Sequence, residues 1–214
     1  CKYDDKLKIN NTVINSGIIA IVFKGTYNEK NIVLKLIKKD ITQKINHIFD
    51  VFNFIGYLTL FIPIINNFNI PKLINDNKEI ILNQIDFKKE CNNIIDFKNS
   101  YKNLPEYKIP IVYQEFTNKF NNVIIMEDIT GLKFKDIDKL SKYDKYNFAK
   151  IYIKFGYLGL FFFSKINNDL HVGNLFFYID NNSEVKYKLG IIDFGICSFP
   201  SKNNQDLYWT FFYE

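Results

Sequence analysis

Asn168-Asp169-Leu170-His171-Val172-Gly173-Asn174, followed by Gly190-Ile191-Ile192-Asp193-Phe194-Gly195, is the stretch on which the reading of this chain turns. Between the two segments, Leu175 to Ile179 is an apolar run, Asp180-Asn181-Asn182-Ser183 is a turn cluster, and Tyr187 to Ile192 is a second apolar run. Two such runs separated by turn residues predict a hairpin. That hairpin brings Asn174 and Asp193 to the same end of two paired strands. A carboxylate and an amide oxygen there, completed by phosphate oxygens and water, make a hard-donor shell suited to Mg2+. Asp169 is placed to accept a hydroxyl proton or to orient the group being phosphorylated. Singly these fragments are commonplace; their order and spacing carry the reading.

Working outward to the N-terminal side, Thr12 to Ile14, Ile18 to Lys24 and Asn31 to Ile37 are β-branched runs. Asn15-Ser16-Gly17 and the stretch 25–30 separate them, which predicts a small antiparallel sheet with two turns. The first turn is where backbone N–H groups would approach phosphates, with Ser16, Gly17, Ile18 and Val22 as candidate nucleotide-facing residues. Lys35 closes the run Ile32-Val33-Leu34-Lys35. Val33 and Lys35 share one strand face, Leu34 and Leu36 the other, so both faces carry apolar side chains. A lysine facing inward from a strand covered on both sides needs an acidic partner. Glu90 is the candidate, on a helix where Phe87, Cys91, Ile94 and Ile95 recur at helical spacing. The 54 residues between Lys35 and Glu90 read as a helical insert. It is expected as Thr42 to Phe54 and Phe54 to Asn66, with Pro63 and Pro71 as breakers.

Further on, a loop is expected at Lys102–Pro110 and a strand at Asn118 to Ile125, followed by Met126-Glu127-Asp128-Ile129. Lys142 to Ser164 is a long helical region with Phe148, Ile151, Tyr152, Phe155 and Leu158 on one face, leading into the Asp169 loop. Composition narrows the field. Nearly half of the 214 residues are apolar and 17% aromatic, as in a folded globular chain. All the basic residues are lysine, and the net charge of +5 is spread without a dense block, so nucleic acid is excluded as the expected partner. Cys1, Cys91 and Cys197 are widely spaced, as in a reduced intracellular chain, and Cys197 reads as a small buried hydrophobe. No signal-peptide pattern opens the sequence. The apolar stretch Phe54–Ile65 is too short to span a bilayer and is expected as a buried or interfacial helix. A cytoplasmic or membrane-peripheral location is therefore expected.

The pattern resembles the UbiB/AarF-domain atypical kinases. The parts that carry the resemblance are Ile32–Lys35, the long insert, Gln84-Ile85-Asp86-Phe87-Lys88-Lys89-Glu90-Cys91-Asn92-Asn93, Met126-Glu127, Asp169–Asn174 and Asp193-Phe194-Gly195. It extends over roughly residues 12–200. It implies an α+β, protein-kinase-like two-lobed fold. The N-lobe (1–128) would carry an antiparallel sheet, a helical insert at about 41–75 and an ion-pair helix at about 80–100; the short, mainly helical C-lobe (129–214) would carry the catalytic loop. It implies ATP or ADP and Mg2+ as cofactors. Lys35 and Glu90 would be the phosphate-anchoring ion pair, Asp169 the catalytic-loop aspartate, and Asn174 and Asp193 the metal ligands. Backbone groups around Met126, Glu127 and Ile129 would meet adenine. Lipid and quinone-pathway proteins are the partners it suggests.

The chain departs from the family pattern at several points. Gln84 stands where the family has glutamate, and the loop Asn15-Ser16-Gly17-Ile18 is not alanine-rich. The family's lysine-glycine-glutamine segment does not precede the domain, and 19 residues follow Gly195, as a truncated or reduced member would have. Two other readings use the same residues. A small-molecule phosphotransferase of the aminoglycoside or choline type shares the Asp-x-His-x-x-Asn loop but not the long insert. A nucleotide-binding pseudokinase is favoured by Gln84 and opposed by retention of Lys35, Glu90, Asp169, Asn174 and Asp193. Without arginine, ordering of the segment after Asp-Phe-Gly by guanidinium–phosphate pairs is not expected.

Overall fold

The computed structural model describes residues 6–213; Cys1 lies outside them. Strands β1 (Leu7–Ser16), β2 (Ala20–Tyr27) and β3 (Lys30–Ile37) form an antiparallel meander. All three start or end beyond the runs read from the sequence. The second turn is only Asn28-Glu29, both at positive φ (49° and 64°), while Gly25 to Tyr27 continue the strand. This is the two-residue turn whose twist matches that of the flanking strands. Gly25 is therefore not a turn glycine. A Cβ there would sit 2.3 Å from the Lys8 carbonyl oxygen, so its role is close strand approach.

The insert is three helices, α1 (Ile41–Thr59), α2 (Pro63–Asn66) and α3 (Ile70–Asn83), and it runs past the expected limit at 75. Phe54 lies mid-helix in α1, and Pro63 and Pro71 open helices instead of breaking them. The missing proline N–H is no loss in a first turn, where it has no intrahelical acceptor. Helix α4 (Phe87–Ser100) is shorter than expected at its start because the Asp86 carboxylate caps it, accepting the Lys89 N–H at 3.0 Å. The apolar side chains of the insert are split. Ile41, Ile45 and Phe49 form a small core with Ile74, Ile81, Leu82 and Ile85, whereas Phe54, Phe61, Ile64 and Phe68 are exposed.

The loop expected at 102–110 contains β4 (Tyr107–Lys108), and the strand expected from Asn118 is instead helix α5 (Gln114–Lys119) followed by β5 (Val123–Glu127). Strand β5 pairs antiparallel with β3, completing a four-stranded sheet of order β1-β2-β3-β5. Helices α6 (Phe134–Ile137) and α7 (Lys142–Leu158) come next, and α7 runs on into a π-helical turn over Gly159–Phe163. On α7, Phe148 and Phe155 are buried, whereas Tyr152 sits at the exposed rim and donates to the Leu170 carbonyl. Strand β6 (Ile166–Asn167), a 3-10 turn at Val172–Asn174, and the predicted hairpin β7 (Leu175–Ile179) and β8 (Tyr187–Ile191) come after it. Strand β9 (Cys197–Ser198) pairs with β6, and α8 (Lys202–Tyr213) closes the chain. Strand β4 adds to β8 in parallel.

The main core contains Phe87, Ile94 and Phe97 of α4, Ile124 and Met126 of β5, Phe155 of α7, and Leu189 and Ile191 of β8. It runs without interruption across position 128. Helix α4 thus packs on both the N-terminal sheet and the hairpin that carries Asn174 and Asp193. No helix among the described residues is long and apolar enough to cross a membrane.

Candidate active site

Strand β3 is buried from both sides, and the consequence appears at Lys35. Its Nζ donates to Glu90 Oε1 at 2.6 Å and to Asp193 Oδ2 at 3.0 Å. Lys35 and Glu90 are 9% and 4% exposed. Burial works against the ammonium, but the Glu90 and Asp193 charges more than offset it, and the lysine is held above its ordinary range. Burial pushes the Glu90 carboxyl up, with Lys35 opposing. Asp193 is held below the usual carboxylate range: its burial is outweighed by Lys35 and by the Gly195 N–H, which donates to Oδ1 at 3.0 Å.

The β7–β8 hairpin places the other donors. Leu175 pairs with Ile191, and the Ile192 N–H donates to the Asn174 carbonyl at 3.1 Å. Asn174 Nδ2 donates to Asp169 through the main-chain oxygen at 3.1 Å and through Oδ2 at 3.2 Å. Its donor end is thereby committed, and the amide oxygen is the end available to a cation. His171 orders the loop: Nδ1 accepts the Gly173 N–H at 3.0 Å, and Nε2 lies 3.8 Å from Asp169 Oδ2.

Lys35, Glu90, Asp169, Asp193, Gly17, Ile18 and Val22 line one cavity of about 610 Å³. Its opposite wall is apolar and comes from the insert: Ile45, Ile48, Phe49 and Phe52 of α1, and Ile81 of α3, with Gln84 beside them. The Gly17 turn is pinned by its own N–H to Ala20 O at 3.0 Å and by Lys38 Nζ to Gly17 O at 2.6 Å. A Cβ at Gly17 would meet only the Ala20 oxygen at 3.8 Å, so the backbone does not require glycine there. Ser16 ends β1 opposite Ile21 and is not on the cavity wall.

The residues expected at adenine are not on this wall. Met126 is in the core opposite Val33. The Glu127 N–H donates to Ile111 O at 2.8 Å, and its carboxylate accepts the Ile111 N–H at 3.1 Å. Glu127 and Ile129 line a separate cavity of about 440 Å³ with Lys98 and Lys108.

Sequence reasoning missed two amides. Asn93 Nδ2 donates to Phe194 O at 2.8 Å, and Asn167 Nδ2 to Asp193 O at 2.7 Å. Asn93 ends the helix motif but had no role read for it, and Asn167 does not stand out where asparagine is so abundant. Burial, aided by Asp193 and Glu90, pushes the Cys197 thiol up to about 12, and its Sγ lies 3.3 Å from Phe194 O. Cys197 is partly buried against the main core, less deeply than expected, and has no activated thiolate.

Comparison with known proteins bears on the family and the fold. The ABC1 atypical kinase-like domain profile matches residues 7–214. "Probable protein kinase UbiB" of Glaesserella parasuis serovar 5 (strain SH0165) is 27% identical over 215 residues, covering 95% of this chain and 37% of that protein. The protein of the same name from Actinobacillus pleuropneumoniae serotype 5b (strain L20) is 27% identical over 202 residues, covering 89% and 36%. The chain thus spans little more than a third of the length of these curated relatives. Among solved structures, the Rv3197–erythromycin complex from Mycobacterium tuberculosis superposes with a TM-score of 0.68 at 19% identity, covering 94% of this chain and 49% of that one. At that identity the likeness speaks for the fold.

Proposed function

The chain belongs to the ABC1 atypical kinase-like domain family, and from that premise we propose that it binds ATP or ADP with Mg2+ and carries out phosphoryl transfer or ATP hydrolysis. The observation that carries the reading is Lys35 gripped between Glu90 and Asp193 on the wall of the cavity that also holds Asp169. A buried ammonium kept charged by two carboxylates is a fixed positive charge for phosphate oxygens.

The donor set suits a hard divalent ion. Asp193 offers a carboxylate and Asn174 an amide oxygen, and among the described residues no cluster of three or more His, Cys, Asp or Glu forms an all-protein cage. That is the arrangement expected where phosphates and water complete the shell. Bound there, Mg2+ would neutralise charge developing on the transferred phosphoryl group. The protein's own part is positioning. Lys35 fixes the phosphate end, the Gly17 turn covers it, and Asp169 orients the acceptor hydroxyl or water and takes its proton. Met126, Glu127 and Ile129 lie off the wall of this cavity, so the proposal is made for the phosphate and metal end alone. A lipid or quinone-pathway acceptor, and a membrane-peripheral setting, belong to the same proposal.

Thermal melting with Mg-ATP, Mg-ADP and nucleotide plus chelator tests the binding step. A ligand at a hundred times its Kd stabilises by about 2.7 kcal/mol, which for a domain of this size is a rise of about 5–10 °C. A chelator should remove much of the rise. Asp193→Ala should remove the magnesium-dependent part and any turnover. Unchanged melting with every nucleotide, or full magnesium-dependent hydrolysis by Asp193→Ala, would overturn the reading.

A further inference from the structure

We infer that Asn93 and Asn167 are positioning residues that clamp the Asp193-Phe194 segment from two different elements and hold it inward without an external trigger. Asn93 projects from α4, is 4% exposed, and donates to the Phe194 carbonyl at 2.8 Å. Asn167 ends β6, is 6% exposed, and donates to the Asp193 carbonyl at 2.7 Å. Consecutive carbonyls of one short segment are thus held by amides from two separate parts of the chain. The Asn93 bond is buried and the Asn167 bond part-buried, and the Phe194 carbonyl keeps only the weak Cys197 thiol donor if Asn93 is lost, so releasing the segment is costly.

Asn167 does more than grip. Its Oδ1 accepts the Asp169 N–H at 2.9 Å, so one side chain ties the position of Asp193 to that of Asp169. The flanking chain is pinned in the same sense. The Phe194 ring is fully buried, 5.0 Å from Phe97 centre to centre, and the Asn168 N–H donates to Ile196 O at 2.9 Å. Pairing of Asn167 with Cys197 and of Ile166 with Ser198 extends the anchorage as far as Ser198. Amides do here what a charge-triggered ordering step would otherwise have to do. The clamp rests on the proposed function only for its catalytic consequence, since the hydrogen bonds hold the segment whether or not nucleotide binds.

Thiol labelling tests the clamp without nucleotide. Cys197 adjoins the clamped segment, whereas Cys91 is buried on α4 and reports wider opening. The chain is treated with iodoacetamide, and labelling at each cysteine is followed by peptide mass spectrometry. Asn167→Ala, remote in sequence from Cys91, should raise the Cys197 rate by about tenfold or more relative to Cys91, as a local opening does. Asn93→Ala should act in the same direction, and Asn93→Gln, which keeps the donor, should restore part of the protection. Equal acceleration at both cysteines would reduce the amides to general stabilisers and overturn the inference, as would no change. If an alanine variant fails to fold, the unmutated chain still decides: Cys197 labelled as fast as in the urea-unfolded chain means that no clamp exists. Loss of nucleotide binding with clamp behaviour intact would count against the proposed function alone.

Discussion

Among single residues, Lys35 carries the most. It was legible because a lysine in a strand apolar on both faces must have a partner, and Glu90 supplies one at 2.6 Å. Removing one member of a buried pair leaves an uncompensated charge, costing about 3–5 kcal/mol. Lys35→Met should therefore lower stability by that order in urea unfolding. Lys35→Met with Glu90→Leu should recover part of it, since it removes the two buried charges and leaves the more exposed Asp193 carboxylate; additive losses would show that the pair is not coupled. Asp193 sets a pH dependence, because its folded pKa lies below its ordinary 3.8. A depressed carboxylate contributes stability that is complete above its ordinary value and is lost as pH falls through its folded value. Asp193→Asn should thus flatten the acid limb of the stability profile below about pH 4. Lys35, raised above 10.5, acts in the opposite sense: its contribution is complete below that value and lost at higher pH. Asn93 closes the helix motif read from the sequence but carried no role there, and Asn167 was not singled out, because a carbonyl-gripping amide looks like any other asparagine until tertiary structure supplies the carbonyl.

Elements are most legible where their signal is local. The hairpin β7–β8 is plain from two apolar runs around Asp180-Asn181-Asn182-Ser183, and it fixes Asn174 beside Asp193. The insert is hardest to read at its joints, since a proline in the first turn starts a helix and one in the interior stops it. Its extent is equally hidden: α3 reaches Asn83, and Asp86 alone marks where α4 begins. Strand β4 has two residues and no pattern of its own; pairing with β8 creates it. The π-helical turn at Gly159–Phe163 is likewise a tertiary product. Gly159 approaches the Lys165 carbonyl oxygen so closely that a Cβ would lie 2.4 Å from it and 3.1 Å from the Tyr101 hydroxyl. Gly159→Ala must displace backbone, and overpacking of this kind costs about 1–3 kcal/mol. Urea unfolding should show that loss. Gly156→Ala, where a Cβ meets nothing within 4 Å, should be neutral or slightly stabilising. Equal effects at the two positions would remove the packing argument.

Across the whole molecule, two cores of unequal size set what opens first. The main core ties α4, β5, α7 and β8 together across position 128, so the elements holding Lys35, Glu90 and Asp193 should unfold as one unit. Among the described residues, the insert's own core buries Ile41, Ile45 and Phe49, with a few partly buried neighbours from β3, α3 and the residues after it. Beyond it, apolar side chains of the insert are exposed, including Phe54 of α1, Phe61 of the following linker and Ile64 of α2. The sequence left Phe54–Ile65, which no charge interrupts, open between a buried and an interfacial helix. The helices nevertheless wall the cavity through Ile45, Phe49 and Ile81, so their local stability governs access to Lys35 and Asp169. Few buried contacts mean a low free energy of local opening. Native-state hydrogen exchange should find the amides of α1 and α3 exchanging about 100-fold or more faster than those of α4 and β8, a gap of about 2.7 kcal/mol. A ligand that fills the cavity against Ile45 and Phe49 should slow exchange in α1 selectively, because it adds apolar contacts there. A ligand confined to the Lys35–Asp193 end should leave α1 unchanged. Uniform protection of all four elements would mean that the insert is part of the main cooperative unit, and that the smaller core is not separately unstable.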